Sequence, residues 1–247
     1  EYNNKAEFNV LSEVGNVVRG TVINGLIGDD NRDRRRVSIE YRLDSPDEAL
    51  INSIVMRLYS QSSENNQKAT RSEVGRSGPQ INNRTSIFKQ KISGLYLQTD
   101  SEVSSSWGDH FITAGIDFFT KETSSLRNAT LSGLGGNPLP QFFTYPTRDF
   151  PNTDVEQFAF FLQDEIRLFN DTLLLLPGFR FDNYDADVVL DSIYSTGNAA
   201  QAAPEDYSDS QFTKSFGVNF KLDEEYSVFA RYGEGFRAPS FDAVNQA

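Results

Sequence analysis

The sequence lacks cysteine altogether and contains only one histidine and one tryptophan. Without cysteine, disulfides, thiol nucleophiles and cysteine-ligated metals are excluded. Basic residues are outnumbered by acidic ones, and the net charge of -12 argues against nucleic acid, whose phosphates select the opposite sign. The longest purely aliphatic run is Leu173–Leu176, whereas a membrane-spanning helix needs about 20 apolar residues. A spanning β-barrel remains compatible, since its strands need only about ten residues with one apolar face.

Recognisable catalytic motifs are also missing. The sequence has no Gly-x-Ser-x-Gly elbow, no His-Glu-x-x-His pair and no phosphate loop. With His110 as the only histidine, few nucleophile–base pairs can form, so we do not expect an enzyme. The stretch "DDNRD" (29–33) starts like a calcium loop, but Arg34 stands where that loop needs glycine. We therefore read it as a solvated loop and expect no metal site or resident cofactor.

What the chain does have is phenylalanine and tyrosine, 20 and 10 residues respectively, which favour strands over helices. In several segments apolar and polar residues alternate with a period of two, as in strands with one apolar and one polar face. The clearest such segments are 35–43, 110–120, 156–168, 211–222 and 226–233. Weaker ones lie near 50–61, 84–98 and 172–184, with a short one near 5–11. The pattern predicts an all-β, antiparallel, up-and-down sheet of about eight or nine strands.

The connections between these strands fall into two lengths that alternate along the chain. Short connections rich in turn formers lie at 44–49, 169–171 and 223–225. Long polar connections are expected at 12–33, 62–83, 122–154 and 185–209, and a middling one at 99–109 belongs with the short turns. All short turns therefore fall on one edge of the sheet and all long loops on the other.

This sorting separates a membrane barrel from a soluble sheet. Outer-membrane barrels have short turns on one side and long loops on the other, and aromatic residues near the ends of their apolar faces. The polar faces here carry charges in mid-strand, including Arg57, Asp117 and Arg231. The alternative is a secreted all-β binding or adhesion module. Its three Asn-x-Ser/Thr sites would be Asn83, Asn128 and Asn170.

Three stretches resemble the TonB-dependent outer-membrane receptors. The stretch "YSVFARYGEGFRAPSFDAVN" (226–245) is similar to the strand and loop that carry the FRAP box of that family, which here is Phe236, Arg237, Ala238 and Pro239. Residues 147–185, from "TRDFP" to "PGFRFDNYD", and "DRRRVSIEYRLDSP" (33–46) resemble the same family. The strings "TRDFP" and "FRAPS" are similar to the branch that takes haem, haemoglobin or transferrin-type ligands.

The resemblance implies a transport protein of the bacterial outer membrane. Residues 1–247 would form part of a single barrel domain, with the plug domain and the closing strands outside this sequence. The partners it implies are outer-membrane lipid, the TonB–ExbB–ExbD system acting through the plug, and an extracellular haem, haem protein or siderophore. Haem would then be a transported ligand and not a cofactor.

Candidate ligand-binding residues lie in two places. The FRAP box would form the lip of a ligand-binding loop, or else Arg237 makes structural hydrogen bonds while Pro239 ends the strand. In loop 122–154, Phe142, Phe143 and Tyr145 are apolar residues among polar ones. They would contact an extracellular ligand or fold back into the barrel mouth. His110 falls on the short-turn edge beside Trp107, where we expect a structural or interfacial role.

Overall fold

The chain forms one antiparallel sheet of ten strands in a computed structural model that describes residues 2–18, 20–45, 51–199 and 203–239. The strands are β1 (Tyr2–Asn9), β2 (Val17–Val18), β3 (Thr21–Asp44), β4 (Ser53–Gly75), β5 (Gly78–Ser105), β6 (Gly108–Gly133), β7 (Asn152–Leu168), β8 (Leu173–Val189), β9 (Tyr207–Lys221) and β10 (Ser227–Gly233). From β3 onward every strand pairs with the next one in sequence, while β1 and the two-residue β2 pair back onto β3. The predicted antiparallel, up-and-down all-β architecture is confirmed, with ten strands instead of eight or nine.

Helical structure is confined to the connections between strands. A 3-10 turn occupies Leu11–Glu13, and a short helix, α1, occupies Ser192–Gly197 between β8 and β9. Within the described ranges, no helix has the length and apolar character needed to cross a membrane.

The predicted short turns lie at one edge of the sheet, which we call the short-turn edge. The turn at 169–171 joins β7 to β8, and the turn at 223–225 joins β9 to β10. The connection expected at 99–109 is shorter than predicted, because β5 continues to Ser105 and β6 begins at Gly108. In the turn at 44–49, residues 46–49 lie outside the described residues.

The opposite edge, the long-loop edge, differs more from the prediction. The prediction of a long loop at 62–83 is wrong. These residues continue β4 and β5 to a turn of only two residues, Arg76 and Ser77. The expected loop 12–33 likewise becomes β3 from Thr21 onward, so the "DDNRD" stretch is strand and not a solvated loop. Residues 62–73 and 28–33 are mostly polar on both faces and show no clear alternation, although their backbone groups are paired along the ladder.

The two remaining connections at the long-loop edge are partly irregular. Of the loop expected at 122–154, residues up to Gly133 extend β6, which leaves 134–151 without regular strand structure. Between β8 and β9, the strands end at Val189 and resume at Tyr207, with α1 in the gap.

The register of the strands sorts their side chains onto two faces. Residues paired directly across antiparallel strands lie on the same face. One face, the apolar face, carries a band of exposed large apolar residues: Val37, Ile39, Tyr41, Leu43, Met56, Leu58, Phe158, Phe181, Phe212, Phe216, Phe220, Val228 and Tyr232. The other, the polar face, carries the residues that are most buried, among them Thr123, Thr153, Ala159 and Asp182.

Lys214 is a charged residue within the apolar band. It lies between Phe212 and Phe216, and its ammonium is 6.0 Å from the centre of the Phe212 ring. Phe212 is closer to the long-loop edge, so the lysine side chain extends towards that edge, as lysines near an apolar boundary do.

Candidate ligand-binding cleft on the polar face

The segment that follows β10 turns across the polar face. The ladder between β9 and β10 ends at the pair Gly233–Ser215. Beyond it, the backbone N–H of Glu234 donates to the carbonyl of Lys214 over 2.9 Å, and the Glu234 carboxylate accepts from the Lys214 N–H over 3.0 Å. These two bonds fix the direction in which residues 235–239 leave the strand.

The FRAP box then packs against the polar face of the sheet. Phe236 and Ala238 contact a buried cluster formed by Val155, Tyr184 and Ala186. Burial of apolar surface at this point holds the segment on the sheet, at about 25 cal/mol per Å² removed from water. Phe236 and Ala238 thus have a packing role on the sheet.

Between this segment and the sheet lies a cleft of about 650 Å³. It is lined by Phe119, Lys121, Gln157, Arg180, Asp182, Tyr184, Thr213 and residues 234–239. Aromatic rings, an amide and charged groups converge on one cavity, which is the usual composition of a small-molecule site.

A bidentate ion pair forms the floor of the cleft. The Nε and Nη2 atoms of Arg180 donate to Asp182, with the shortest contacts at 2.8 Å, and Gln157 adds a bond of 3.3 Å. The Asp182 side chain is only 5% exposed, whereas that of Arg180 is 38% exposed and stays accessible from the cleft. β8 continues beyond Asp182 through Asp185 and Asp187 to Val189.

Arg237 lies at the mouth of the cleft and is exposed. In the part of the chain that the structure describes, its guanidinium forms no hydrogen bond or ion pair. The predicted structural hydrogen bonds of Arg237 are thus not found there. Its five N–H donors are therefore available to a ligand.

The second predicted site lies in loop 134–151. Phe142 and Phe143 meet edge to face with ring centres 5.0 Å apart, and they are 87% and 53% exposed. Tyr145 is partly buried. The structure does not bring these three residues together with the FRAP box, and the two phenylalanines stay exposed to solvent instead of being buried in the sheet.

An ion pair that the sequence did not reveal holds this loop in place. The Arg148 guanidinium donates three hydrogen bonds to the carboxylate of Asp191, the shortest 2.6 Å, and a further one to the carbonyl of Ser125. The Asn198 amide donates to the carbonyl of Arg148 over 3.0 Å. We call this group the Arg148–Asp191 clamp, and it joins the loop to β6 and α1.

The clamp also determines the start of α1. Asp191 is its N-cap and accepts from the backbone N–H of Tyr194 over 2.9 Å. Hydrogen bonds from Arg148 hold the pKa of Asp191 below its ordinary value, so the carboxylate is charged at neutral pH. The local signal for this helix was an aspartate in the N-cap position, but its partner lies 43 residues away in sequence.

His110 lies on the apolar face at the short-turn edge, far along β6 from the cleft. Its Nδ1 is 2.7 Å from the Asp164 carboxylate, and its ring meets that of Trp107 at 4.4 Å between centres. This agrees with the expected structural or interfacial role and gives His110 no place in the cleft.

Comparison with known proteins gives the family. The family model described as "TonB dependent receptor-like, beta-barrel" matches residues 2–247. A hemin receptor of Yersinia enterocolitica is 26% identical over 225 residues, which is 87% of this chain and 25% of that receptor. The chain thus spans about a quarter of the length of this relative.

The chain also matches parts of two solved structures at low identity. BauA, the ferric preacinetobactin receptor of Acinetobacter baumannii, has 14% identity and a TM-score of 0.47 over 98% of this chain and 37% of that protein. The ferric citrate transporter FecA has 15% identity and a TM-score of 0.45 over 93% of this chain and 41% of that protein. With the family model matching nearly every residue of a sheet that has one apolar and one polar face, the chain belongs to the family of TonB-dependent receptor-like β-barrels.

Proposed function

We propose that this chain forms part of the barrel wall of a bacterial outer-membrane receptor that imports an iron-bearing ligand, with haem or a haem protein preferred. The apolar face would contact outer-membrane lipid, and the polar face would line the lumen. The short-turn edge would then be periplasmic and the long-loop edge extracellular. Residues 1–247 would be a segment of one barrel domain, and the plug and closing strands would come from the rest of the receptor.

The observation that carries the membrane assignment is the continuous apolar band on one face. Its residues are exposed on β3, β4 and β7 to β10, including Ile39 at 70% and Val228 at 59%, and the half-buried Leu95 and Phe118 continue the row across β5 and β6. A water-soluble protein rarely exposes an apolar surface that large. Family membership also sets the secreted adhesion module aside.

Support for an iron-bearing ligand comes from the relatives. Relatives of this chain take up hemin, a ferric siderophore or ferric citrate, according to their names. The preference for haem rests on the hemin receptor, whose 26% identity over 87% of this chain exceeds the 14% and 15% of the other two. A siderophore or another iron complex is the alternative.

In this proposal the protein makes and breaks no covalent bonds. Arg237, together with Phe236, Ala238 and Pro239, forms the lip of the cleft over Arg180 and Tyr184. Phe142, Phe143 and Tyr145 would meet the ligand earlier, at the extracellular surface. Energy for release would come from the TonB–ExbB–ExbD system through the plug.

Uptake by the full-length receptor tests the proposal. The receptor is produced in an iron-starved bacterial host without haem receptors of its own, with and without TonB, and growth is measured on hemin, a ferric siderophore and ferric citrate. We expect growth on hemin that requires TonB. Growth on another complex but not on hemin would remove the haem preference, and TonB-independent growth or no growth on any of the three would contradict the proposal.

Matched variants locate the site within the same assay. Arg237→Gln should lower hemin-dependent growth or hemin binding at least about tenfold, the loss expected when one charge-assisted contact to the ligand is removed. His110→Ala should leave uptake unchanged at equal surface expression, because His110 lies on the lipid-facing side near the periplasm. Loss of uptake in His110→Ala would show that the topology is inverted.

A further inference from the structure

Three arginines alternate along β3 on the side of the sheet that carries the cleft. Arg32, Arg34 and Arg36 are spaced two residues apart, and we call them the arginine track. Side chains at this spacing point to the same face of a strand, about 7 Å apart. Asp33 and Arg35, which lie between them, point to the other face.

The register places the track on the polar face. Arg34 pairs with Ser63, and the same row continues through Gln90 and Thr123 to Thr153. Thr123 and Thr153 are 2% and 3% exposed and belong to the buried side of the sheet. The track therefore shares a face with the cleft and not with the apolar band.

The track also lies above the apolar band. On β3 the uninterrupted alternation of apolar residues on the apolar face runs from Leu43 up to Val37 and stops there. Residues 32–36 continue from that point towards the long-loop edge. In the proposed topology they line the extracellular entrance of the lumen.

The charges of the track are not balanced by neighbouring strands. Arg32 lies between Asn4 and Asn65, and Arg34 between Tyr2 and Ser63, so their cross-strand neighbours on both sides are neutral. Arg36 pairs with Gln61.

The contacts of the track side chains are also with neutral groups. The Nη2 atom of Arg34 donates to the Gln61 amide oxygen over 2.6 Å, and the guanidinium of Arg36 is 5.1 Å from the centre of the Tyr59 ring. Within residues 2–18, 20–45, 51–199 and 203–239, no carboxylate oxygen lies within 4.0 Å of a nitrogen of any track side chain.

Three other arginines on the polar face have carboxylate partners. Arg57 meets Glu40 at 2.5 Å, and Arg180 meets Asp182 at 2.8 Å. Arg71 lies 3.8 Å from Glu73. Arg84 and Arg237 also have no carboxylate oxygen within 4.0 Å in the described ranges, so the track differs from them in placing three such guanidiniums in one row, in a chain of net charge -12.

Three like charges in a row repel one another, and an anion bound between them relieves that repulsion. The planar fork of a guanidinium matches a carboxylate group bidentately, and two neighbouring forks suit two carboxylates on one molecule. We propose that the arginine track is a capture site for a small ligand bearing two or more carboxylates, at the extracellular entrance of the lumen. The site rests on the proposed function, since the carboxylates would belong to the imported iron complex.

Binding of iron-free citrate to the purified full-length receptor tests the site directly. Isothermal titration at low ionic strength compares the wild type, the double variant Arg32→Gln/Arg34→Gln and the control Arg35→Gln. We expect saturable citrate binding in the wild type, at least about tenfold weaker binding in the double variant, and a change of less than about twofold in the control. Arg35 lies on the same strand but points to the other face, so Arg35→Gln controls for the loss of a single positive charge on β3.

A second titration uses hemin and its dimethyl ester, which has no free carboxylates. The double variant should weaken hemin binding and leave ester binding unchanged. Absence of saturable citrate binding in the wild type, or equal losses in Arg35→Gln and the double variant, would overturn the proposal. Heat-modifiable electrophoretic mobility and circular dichroism confirm that each variant is folded before titration.

The site and the proposed function can fail separately. Arginine-dependent citrate binding without TonB-dependent uptake would leave the site and remove the function. TonB-dependent uptake, together with citrate binding that is unchanged in the Arg32→Gln/Arg34→Gln variant, would support the function and remove the site.

Discussion

Two halves of the sheet reach the long-loop edge in different ways. In the first half, β3 to β6 contain 24, 23, 28 and 26 residues, and β4 turns into β5 through only two. In the second half, β7, β8 and β9 contain 17, 17 and 15 residues and end in irregular segments. We call these the long-strand half and the short-strand half.

Beyond the apolar band, the two halves keep their backbone in a defined structure in two different ways. The long-strand half continues its main-chain ladder beyond the apolar band, so neighbouring strands satisfy each other's backbone groups. The short-strand half ends its ladders and relies on side chains, above all the Arg148–Asp191 clamp. The continued ladder tolerates almost any polar side chain, whereas the Arg148–Asp191 clamp depends on a few particular residues.

The largest effect we expect comes from placing a positive charge on the apolar face, within the apolar band. Val228→Arg in β10 would put a guanidinium on the apolar face within the band and destabilise the folded receptor by about 2–4 kcal/mol. Ser72→Arg on the same face of β4 lies beyond the band, near the exposed Lys68, and should be tolerated. Unfolding of the full-length variants in lipid bilayers measures both.

Ser227→Arg is the matched control within β10. Ser227 pairs with Lys221, while Val228 pairs with Phe220, so the register confirms that the two adjacent positions lie on opposite faces. Val228→Arg should cost at least about 1 kcal/mol more than Ser227→Arg. Equal costs would show that β10 is not a lipid-facing strand.

A smaller effect is expected from opening the clamp. Arg148→Ala would leave the Asp191 carboxylate without its charged partner and should destabilise loop 134–151 locally by about 1–3 kcal/mol. Hydrogen–deuterium exchange of the loop and of α1 in the full-length receptor would measure it, with the β4–β5 hairpin as an internal reference. Arg127→Ala removes a more exposed pair with Asp149 and should change exchange by less than about 1 kcal/mol.

Acid should open the same clamp without a mutation. Because Arg148 lowers the pKa of Asp191 in the folded state, the clamp contributes its full stability above the unfolded value of 3.8 and loses it as the pH falls through the lower folded value. We expect unchanged protection of α1 between pH 7 and pH 5, and loss only below about pH 3.8. In Asp191→Asn this acid-dependent step should be absent, and a step near pH 5 in the wild type would contradict the assignment.

The smallest effect concerns the two-residue turn of the long-strand half. Gly78 has φ of +89°, and an added Cβ would meet no atom within 4 Å, so Gly78→Ala is costly only through its backbone conformation, by about 1 kcal/mol. Gly133→Ala, in an equally open place with an ordinary φ, is the control and should be neutral. Thermal unfolding of the two variants compares them, and equal shifts would exclude the conformational explanation.

The sequence predicted the parts of the fold where two solvents act on the two faces of a strand. In residues 211–222 the apolar face meets one environment and the polar face another, so the alternation reveals both the strand and its faces. In residues 62–83 both faces are polar, and the same backbone structure leaves no period in the sequence. For this reason the sequence predicts loops where the long-strand half continues its strands.

The sequence predicts where one side of the candidate site lies, but not the residues that complete it. Resemblance pointed to the FRAP box, and the structure puts it at the lip of the cleft. The floor, Arg180 and Asp182, and the clamp between Arg148 and Asp191 depend on the pairing of whole strands and on contacts distant in sequence. No local pattern encodes such contacts.

The ladders that lead into the two-residue turn between β4 and β5 have a consequence for proteolysis. Proteases bind their substrates as single extended strands, by pairing with backbone groups that must first be unpaired. Lys68 and Arg71 are suitable residues for trypsin-like cleavage, but each lies in a ladder with both flanking strands. Trypsin added to the full-length receptor should therefore spare Lys68 and Arg71 and cut at connections outside the ladders, at Arg76 in the turn and in the irregular segment 134–151.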